Sequence, residues 1–211
     1  VKSIVIVGGS SDIAKSTISS ISTENYKFHA LVRDDSHTDE LSDLGVNVIL
    51  GDATSEEDIK NFISGVKESG EIHAILHCVG SFAVRPPHAM NKEAFEAVIS
   101  TNLTSAFLTL SIAGKAMLSQ GHGRMVFMSS VAGSLGLVNH EAISAAKGGI
   151  ESMVRSAAAT YANRGLRINA VAPGLTDTKL ASPIMSNETA SQAASQKIPV
   201  KRVGRKEEVA A

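Results

Sequence analysis

Seven residues near the N-terminus carry the first sign of chemistry. Gly8-Gly9-Ser10-Ser11-Asp12-Ile13-Ala14 lies between an apolar Ile/Val run at 2–7 and a helical pattern at 14–21. Two glycines permit the positive-φ turn that launches a helix directly from a strand buried on both faces. The first turn of such a helix offers unpaired N–H groups and the positive end of its dipole, and phosphate is the group that suits both. Gly8, Ser10, Ser11, Asp12 and Ile13 are therefore candidate phosphate contacts. The three-glycine pattern of dinucleotide turns is incomplete, because Asp12 and Ala14 stand in its second and third places. Ala14 adds one methyl where helix packs on strand. Asp12 reads as the helix N-cap, and a carboxylate beside a pyrophosphate weakens binding unless it is turned away.

The elements that must position this turn follow from the alternation along the chain. Strands are expected at 27–32, 46–50, 72–78, 125–128 and 167–171, with helices at 56–68, 91–118 and 141–162 between them. Ser55 with Glu56, Glu57 and Asp58 has the form of a helix start, and Asn163-Arg164-Gly165 of a helix stop. This pattern predicts an α/β fold, a Rossmann-type doubly wound parallel sheet in three layers, with its ligand crevice at the strands' carboxyl ends. The 211 residues are read as one dinucleotide-binding domain. The segment 175–200 is rich in Ser, Thr and Ala and carries Pro183 and Pro199; it is expected to be a lid over the crevice rather than a plain surface excursion. Glu207 to Ala211 read as a helix just begun, with further sequence expected beyond.

Composition narrows the class. A formal charge of −1 and 43% hydrophobic content suit a globular domain and exclude a basic nucleic-acid binder. The single cysteine, Cys78, rules out an internal disulfide and fits a reducing compartment. No apolar run is read as approaching membrane length and no leader pattern opens the chain, so a cytoplasmic protein without a membrane or nucleic-acid partner is expected. No metal site is expected.

Taken in order, the residues resemble the classical short-chain dehydrogenase/reductase family. The turn at 7–14 stands where that family has its glycine-rich signature. Gly51-Asp52-Ala53 matches its adenine-contacting acidic site, His77-Cys78-Val79-Gly80 its Asn-Asn-Ala-Gly segment, and Asn102 its mid-helix asparagine. Met128-Ser129-Ser130-Val131-Ala132-Gly133 matches the catalytic serine segment. Arg167 to Gly174 together with Thr178 match the late strand and the nicotinamide-side loop. The resemblance implies hydride transfer between a nicotinamide cofactor and a small-molecule carbonyl or alcohol. Asp52, Ala53, Cys78, Val79, Gly80, Lys147, Pro173, Gly174 and Thr178 would hold the cofactor, and Ser130, Lys147 and Asn102 would serve catalysis. Arg33, just past the second strand, is placed for the 2′-phosphate of NADP. An acid holding the ribose of NAD is missing at Val32, so NADP(H) is favoured over NAD(H), although Asp34 and Asp35 lie close by.

The family's general acid is a tyrosine thirteen residues after the serine and four before the lysine. Both counts land on Ile143. Tyr26 and Tyr161 lie elsewhere. A positioned general acid contributes roughly 10² to 10⁴ in rate, so slow hydride transfer can survive its loss. His140, one turn earlier, is a weak substitute whose plainer role is a polar residue entering a helix; Glu141, Ser144 and His77 are further candidates. Two functions follow: an NAD(P)(H)-dependent oxidoreductase with altered or reduced catalysis, or a catalytically inactive NADP(H)-binding sensor or partner subunit. Loops 82–87 and 134–140 and the lid would line the substrate pocket. Phe95, Val98, Ile99, Phe107, Leu108, Met153 and Val154 give two helices more than one apolar face, and a homodimer or homotetramer is expected.

Overall fold

The computed structural model describes residues 2–22 and 24–211. β1 (Lys2–Val7) is buried beyond its first residue, as a strand covered on both faces must be. It is followed by α1 (Asp12–Ser20), β2 (Tyr26–Val32), the short α2 (Thr38–Asp43), β3 (Val46–Leu50), α3 (Glu56–Ser69) and β4 (Ile72–His77). Next come α4 (Lys92–Ile99), a π turn (Ser100–Thr104), α5 (Ser105–Gln120), β5 (Gly123–Met128), α6 (Glu141–Tyr161) and β6 (Leu166–Val171). The six strands form one parallel sheet in the order β3-β2-β1-β4-β5-β6.

Side-chain alternation along β1 divides the core in two. Val5 and Val7 join Ile59, Phe62, Leu110, Ile150 and Val154, from α3, α5 and α6, on one face. Ile4 and Ile6 join Ile18 and Leu41, from α1 and α2, on the other. The fold is thus the expected three-layer Rossmann type. Strand order reverses between β1 and β4, which splays their carboxyl ends and opens a crevice between the turn after β1 and the turn after β4.

Several expectations need correction. α1 begins at Asp12, its N-cap is Ser11 in extended conformation, and Asp12 is therefore the first helical residue rather than the cap. The helix expected over 91–118 is interrupted by the π turn, though it runs continuously from Lys92 to Gln120. An 18-residue window of that span has mean hydropathy 1.4, long and apolar enough to cross a membrane by length and composition alone, against the reading that no run approaches it. Here it packs on the sheet, with Ala106, Leu110, Ala113 and Met117 in the core. Val98 and Val154 are likewise core residues, 8% and 6% exposed, and not part of a second apolar face.

The segment after β6 is folded back on itself. β7 (Thr176–Asp177), α7 (Ser182–Met185), α8 (Glu188–Lys197), β8 (Gly204–Arg205) and α9 (Lys206–Ala210) follow, and β7 pairs with β8 in parallel.

Candidate active site

The phosphate turn is built by close approach. Gly8 has φ +86°, and a Cβ on it would lie 2.9 Å from the backbone nitrogen of Val79. A Cβ on Gly9 would lie 2.6 Å from that of Ala30. The amides of Gly8 and Gly9 both donate to the carbonyl oxygen of Leu31, at 3.0 and 3.1 Å, which staples the turn onto β2. Ser11 makes no side-chain capping bond, so the start of α1 keeps its free amides directed into the crevice. An uncapped helix start at a topological switch point fits an anionic phosphate group. Asp12 is drawn elsewhere: its Oδ2 accepts from the backbone N–H of Lys179 at 2.6 Å, and its Oδ1 lies 3.6 Å from Lys15 Nζ.

At the opposite end of the crevice, Arg33 is exposed and makes no hydrogen bond or ion pair with another described residue. Asp34 is engaged, accepting from the amide of Ser36 at 3.2 Å and also from the Ser36 hydroxyl. Those bonds hold its carboxyl below the usual range. Asp52 accepts from the amide and hydroxyl of Thr54, at 2.7 and 2.8 Å, through a single oxygen. These bonds, and then the charge of Arg33, keep Asp52 ionised. Ala53 turns its side chain into the core at 9% exposure, so only its backbone faces the crevice.

The catalytic corner is organised around Lys147. Its side chain is buried, and Nζ donates to the carbonyl oxygen of Met128 at 2.8 Å. Burial pushes the ammonium down to about 8. A Cβ placed on Gly80 would lie 3.3 Å from Asn102 Oδ1, 3.6 Å from Lys147 Nζ and 4.0 Å from Leu180 Cδ2, so these three groups converge at the end of β4. Cys78 and Val79 lead into that point, and the Cys78 amide is held by Val7 O at 2.8 Å. Asn102 sits fully buried in the π turn, a feature frequent at functional sites. Its Nδ2 donates to Ser81 Oγ and to Val98 O, both at 2.9 Å.

The two adjacent serines just past β5 have different surroundings. Ser129 is buried and donates to Lys147 O at 3.1 Å and to Glu151 Oε1 at 2.9 Å, fixing β5 to α6. Ser130 is only half-buried; its Oγ accepts from Ala132 N at 3.2 Å and keeps a proton to give. Ile143 is 8% exposed in an apolar cluster with Val98, Ala132, Ala142 and Ala146. His140 spends Nδ1 on Val138 O at 2.7 Å. His77 does not face the crevice at all: it is fully buried against Phe127, with Nε2 3.2 Å from Ser105 Oγ, and burial pushes it down to about 3. Tyr161 lines a groove on the outer side of α5 with Phe107 and Leu118.

Pro173, Gly174 and Thr178 lead from β6 into the segment expected to be a lid. Pro173 O accepts from Val131 N at 3.0 Å, which ties this loop to the Ser130 loop. Phe82, Val84, Leu135, Leu137, Val138 and Leu180 are large apolar side chains left exposed in the expected pocket loops and the segment after β6. The Ser129–Glu151 staple, the π turn and the Asp12–Lys179 contact were not foreseen. No local sequence signal marks the first and last, since their partners are distant in the chain.

A family profile described as Enoyl-(Acyl carrier protein) reductase matches residues 8–211. The chain is 36% identical over 161 residues to cis-4-hydroxycyclohexanecarboxylate dehydrogenase of Sinomonas cyclohexanicum, covering 75% of this chain and 64% of that protein. It is 30% identical over 210 residues to 3-oxoacyl-(acyl-carrier-protein) reductase MabA of Mycobacterium bovis, covering 99% of this chain and 82% of that one. The solved structure of ElxO with NADP bound superposes with a TM-score of 0.91 at 24% identity, over 99% of this chain and 88% of ElxO; it shares the fold. The chain belongs to the short-chain dehydrogenase/reductase family of NAD(P)-dependent oxidoreductases.

Proposed function

We propose that the chain binds NADP(H) in preference to NAD(H) and interconverts a carbonyl and an alcohol borne on an apolar skeleton, more slowly than a relative with a tyrosine at position 143. The observation that carries this is the convergence of buried Lys147 with Asn102 beside Gly80, on a lysine held by Met128 O two residues before Ser130. The uncapped start of α1, free Arg33 and ionised Asp52 suit the phosphates and adenine of a dinucleotide. MabA, tropinone reductase homologues and the cyclohexane-carboxylate dehydrogenase are relatives named for such chemistry.

When bound, the cofactor gives or takes a hydride at its nicotinamide ring. Ser130 donates its hydroxyl to the substrate oxygen and fixes its direction. Lys147 holds the nicotinamide ribose, and with its ammonium near neutrality it passes a proton through water to the oxygen that Ser130 orients. Ile143 supplies no proton, and its packing excludes water from that side. Thr178 meets the nicotinamide side as the lid covers the pocket. The preserved Ser130 favours turnover over a sensor role, because a protein that only bound the dinucleotide would have no use for it. The same reading includes a homodimer or homotetramer: Phe95 and Phe107 are 41% and 55% exposed on the outer face of α4 and α5.

NADPH consumption against a panel of cyclic ketones and 3-oxoacyl thioesters tests the reading. It predicts slow oxidation with at least one carbonyl, abolished by Ser130→Ala. A protein that binds NADPH but oxidises it with no substrate, even as Ile143→Tyr, is a binding subunit and refutes it.

A further inference from the structure

We propose that Asp12 is a positioning residue that anchors the lid over the crevice before any cofactor is bound. Its carboxylate occupies the first position of α1, beneath the segment that follows β6. The side chain is only 10% exposed. Oδ2 accepts from the Lys179 amide at 2.6 Å, a contact spanning 167 residues. The donor is backbone, so the contact fixes the chain at Lys179 and with it the neighbouring Thr178, whatever side chain Lys179 carries. Oδ1 faces Lys15 Nζ at 3.6 Å, and Lys15, itself 9% exposed, is gripped by both oxygens of Glu40 at 3.0 and 2.9 Å. His37 meets Glu40 Oε2 at 3.2 Å.

This relay explains how a carboxylate is tolerated where the turn pattern calls for glycine. The charge of Asp12 is met by Lys15 and by the positive end of α1. Its acceptor capacity is spent on the lid, leaving the uncapped amides of α1 to an anion. A carboxylate at this point holds the segment after β6 against α1 through the Lys179 amide. The anchor rests on the Asp12–Lys179 contact itself; only its bearing on Thr178 and nicotinamide rests on the proposed function.

Hydrogen–deuterium exchange on the cofactor-free chain tests the anchor. In the unmodified protein the Lys179 amide should exchange more slowly than the neighbouring exposed lid amides. Asp12→Gly, which restores the common turn residue, should speed that amide by about tenfold or more, the worth of one lost charge-assisted hydrogen bond. It should also hasten tryptic cleavage after Lys179 and Lys197 while leaving exchange in β1 and β4 unchanged. Asp12→Asn, whose amide oxygen accepts the same N–H, should retain most of the protection. A Lys179 amide that exchanges freely in the unmodified protein overturns the proposal, as does an Asp12→Gly lid protected like the original or an Asp12→Asn lid as loose as Asp12→Gly. Adding NADPH to Asp12→Gly should restore lid protection. If NADPH binds neither protein, the proposed function fails while the exchange result without cofactor still decides the anchor.

Discussion

Lys147 donates to the carbonyl oxygen of Met128 at 2.8 Å from a buried position, while Ile143, one helical turn earlier, is packed at 8% exposure among Val98, Ala132, Ala142 and Ala146. Hydrocarbon thus fills the position one turn before the lysine. A phenol hydroxyl at position 143 would be carried one helical turn from the ammonium on α6. Ile143→Tyr should raise the turnover number by roughly 10² to 10⁴ with little change in NADPH affinity, read from steady-state rates and fluorescence titration side by side.

The pH profile should carry the signature of Lys147. Its protonated form is lost as pH rises through about 8, so carbonyl reduction should fall above that point and alcohol oxidation should rise. Lys147→Arg keeps a cation for the ribose but does not release its proton in this range. It should keep cofactor binding and lose most of the rate across the whole profile, as measured by turnover from about pH 6 to about pH 10.

His77 predicts acid sensitivity. Its folded value is lowered from 6.5 to about 3, so between those limits the unfolded chain takes up a proton that the folded chain refuses, and stability falls as pH falls. His29 and His73, also lowered by burial first, act in the same direction. His77→Asn, which leaves a group able to bond Ser105, should flatten the decline of melting temperature between neutral and mildly acidic pH. An unchanged slope would show that His77 is not its source.

Phe107 should matter to assembly more than to folding. It is 55% exposed and lines a groove of about 590 Å³ with Leu110, Leu118 and Tyr161. Phe107→Glu should lower the mass seen by light scattering to that of one chain while the far-ultraviolet spectrum stays unchanged.

The sheet and its order of elements were legible because Ile/Val runs ending in Gly8 or Gly51 leave few alternatives to buried parallel strands. That no tyrosine stands where the family resemblance calls for one was equally plain, since Ser130 and Lys147 each count to Ile143. Asp12 reads as a cap because a local rule weighs only the next turn, whereas its carboxylate accepts from a backbone amide 167 residues away. The π turn also escaped periodicity: Asn102 is held by Ser81 and Val98, and only the loop after β4 brings Ser81 there. His77 illustrates a one-residue limit. The alternation along β4 turns its ring into the core, although its place at the strand's end suggested the crevice. In segment 175–200, composition marked no helix, but Asn187 Oδ1 accepts from Ala190 N at 2.9 Å and starts α8.

In the proposed function the crevice holds a nicotinamide dinucleotide with its 2′-phosphate on Arg33. Titration of the protein with NADPH and with NADH, followed by nicotinamide fluorescence, tests it most directly. The account predicts saturable binding that is tighter for NADPH, with Arg33→Ala weakening NADPH by about tenfold or more and leaving NADH unchanged, as expected for one lost charge-assisted phosphate contact. Binding of neither nucleotide, or an NADPH affinity indifferent to Arg33, would contradict it.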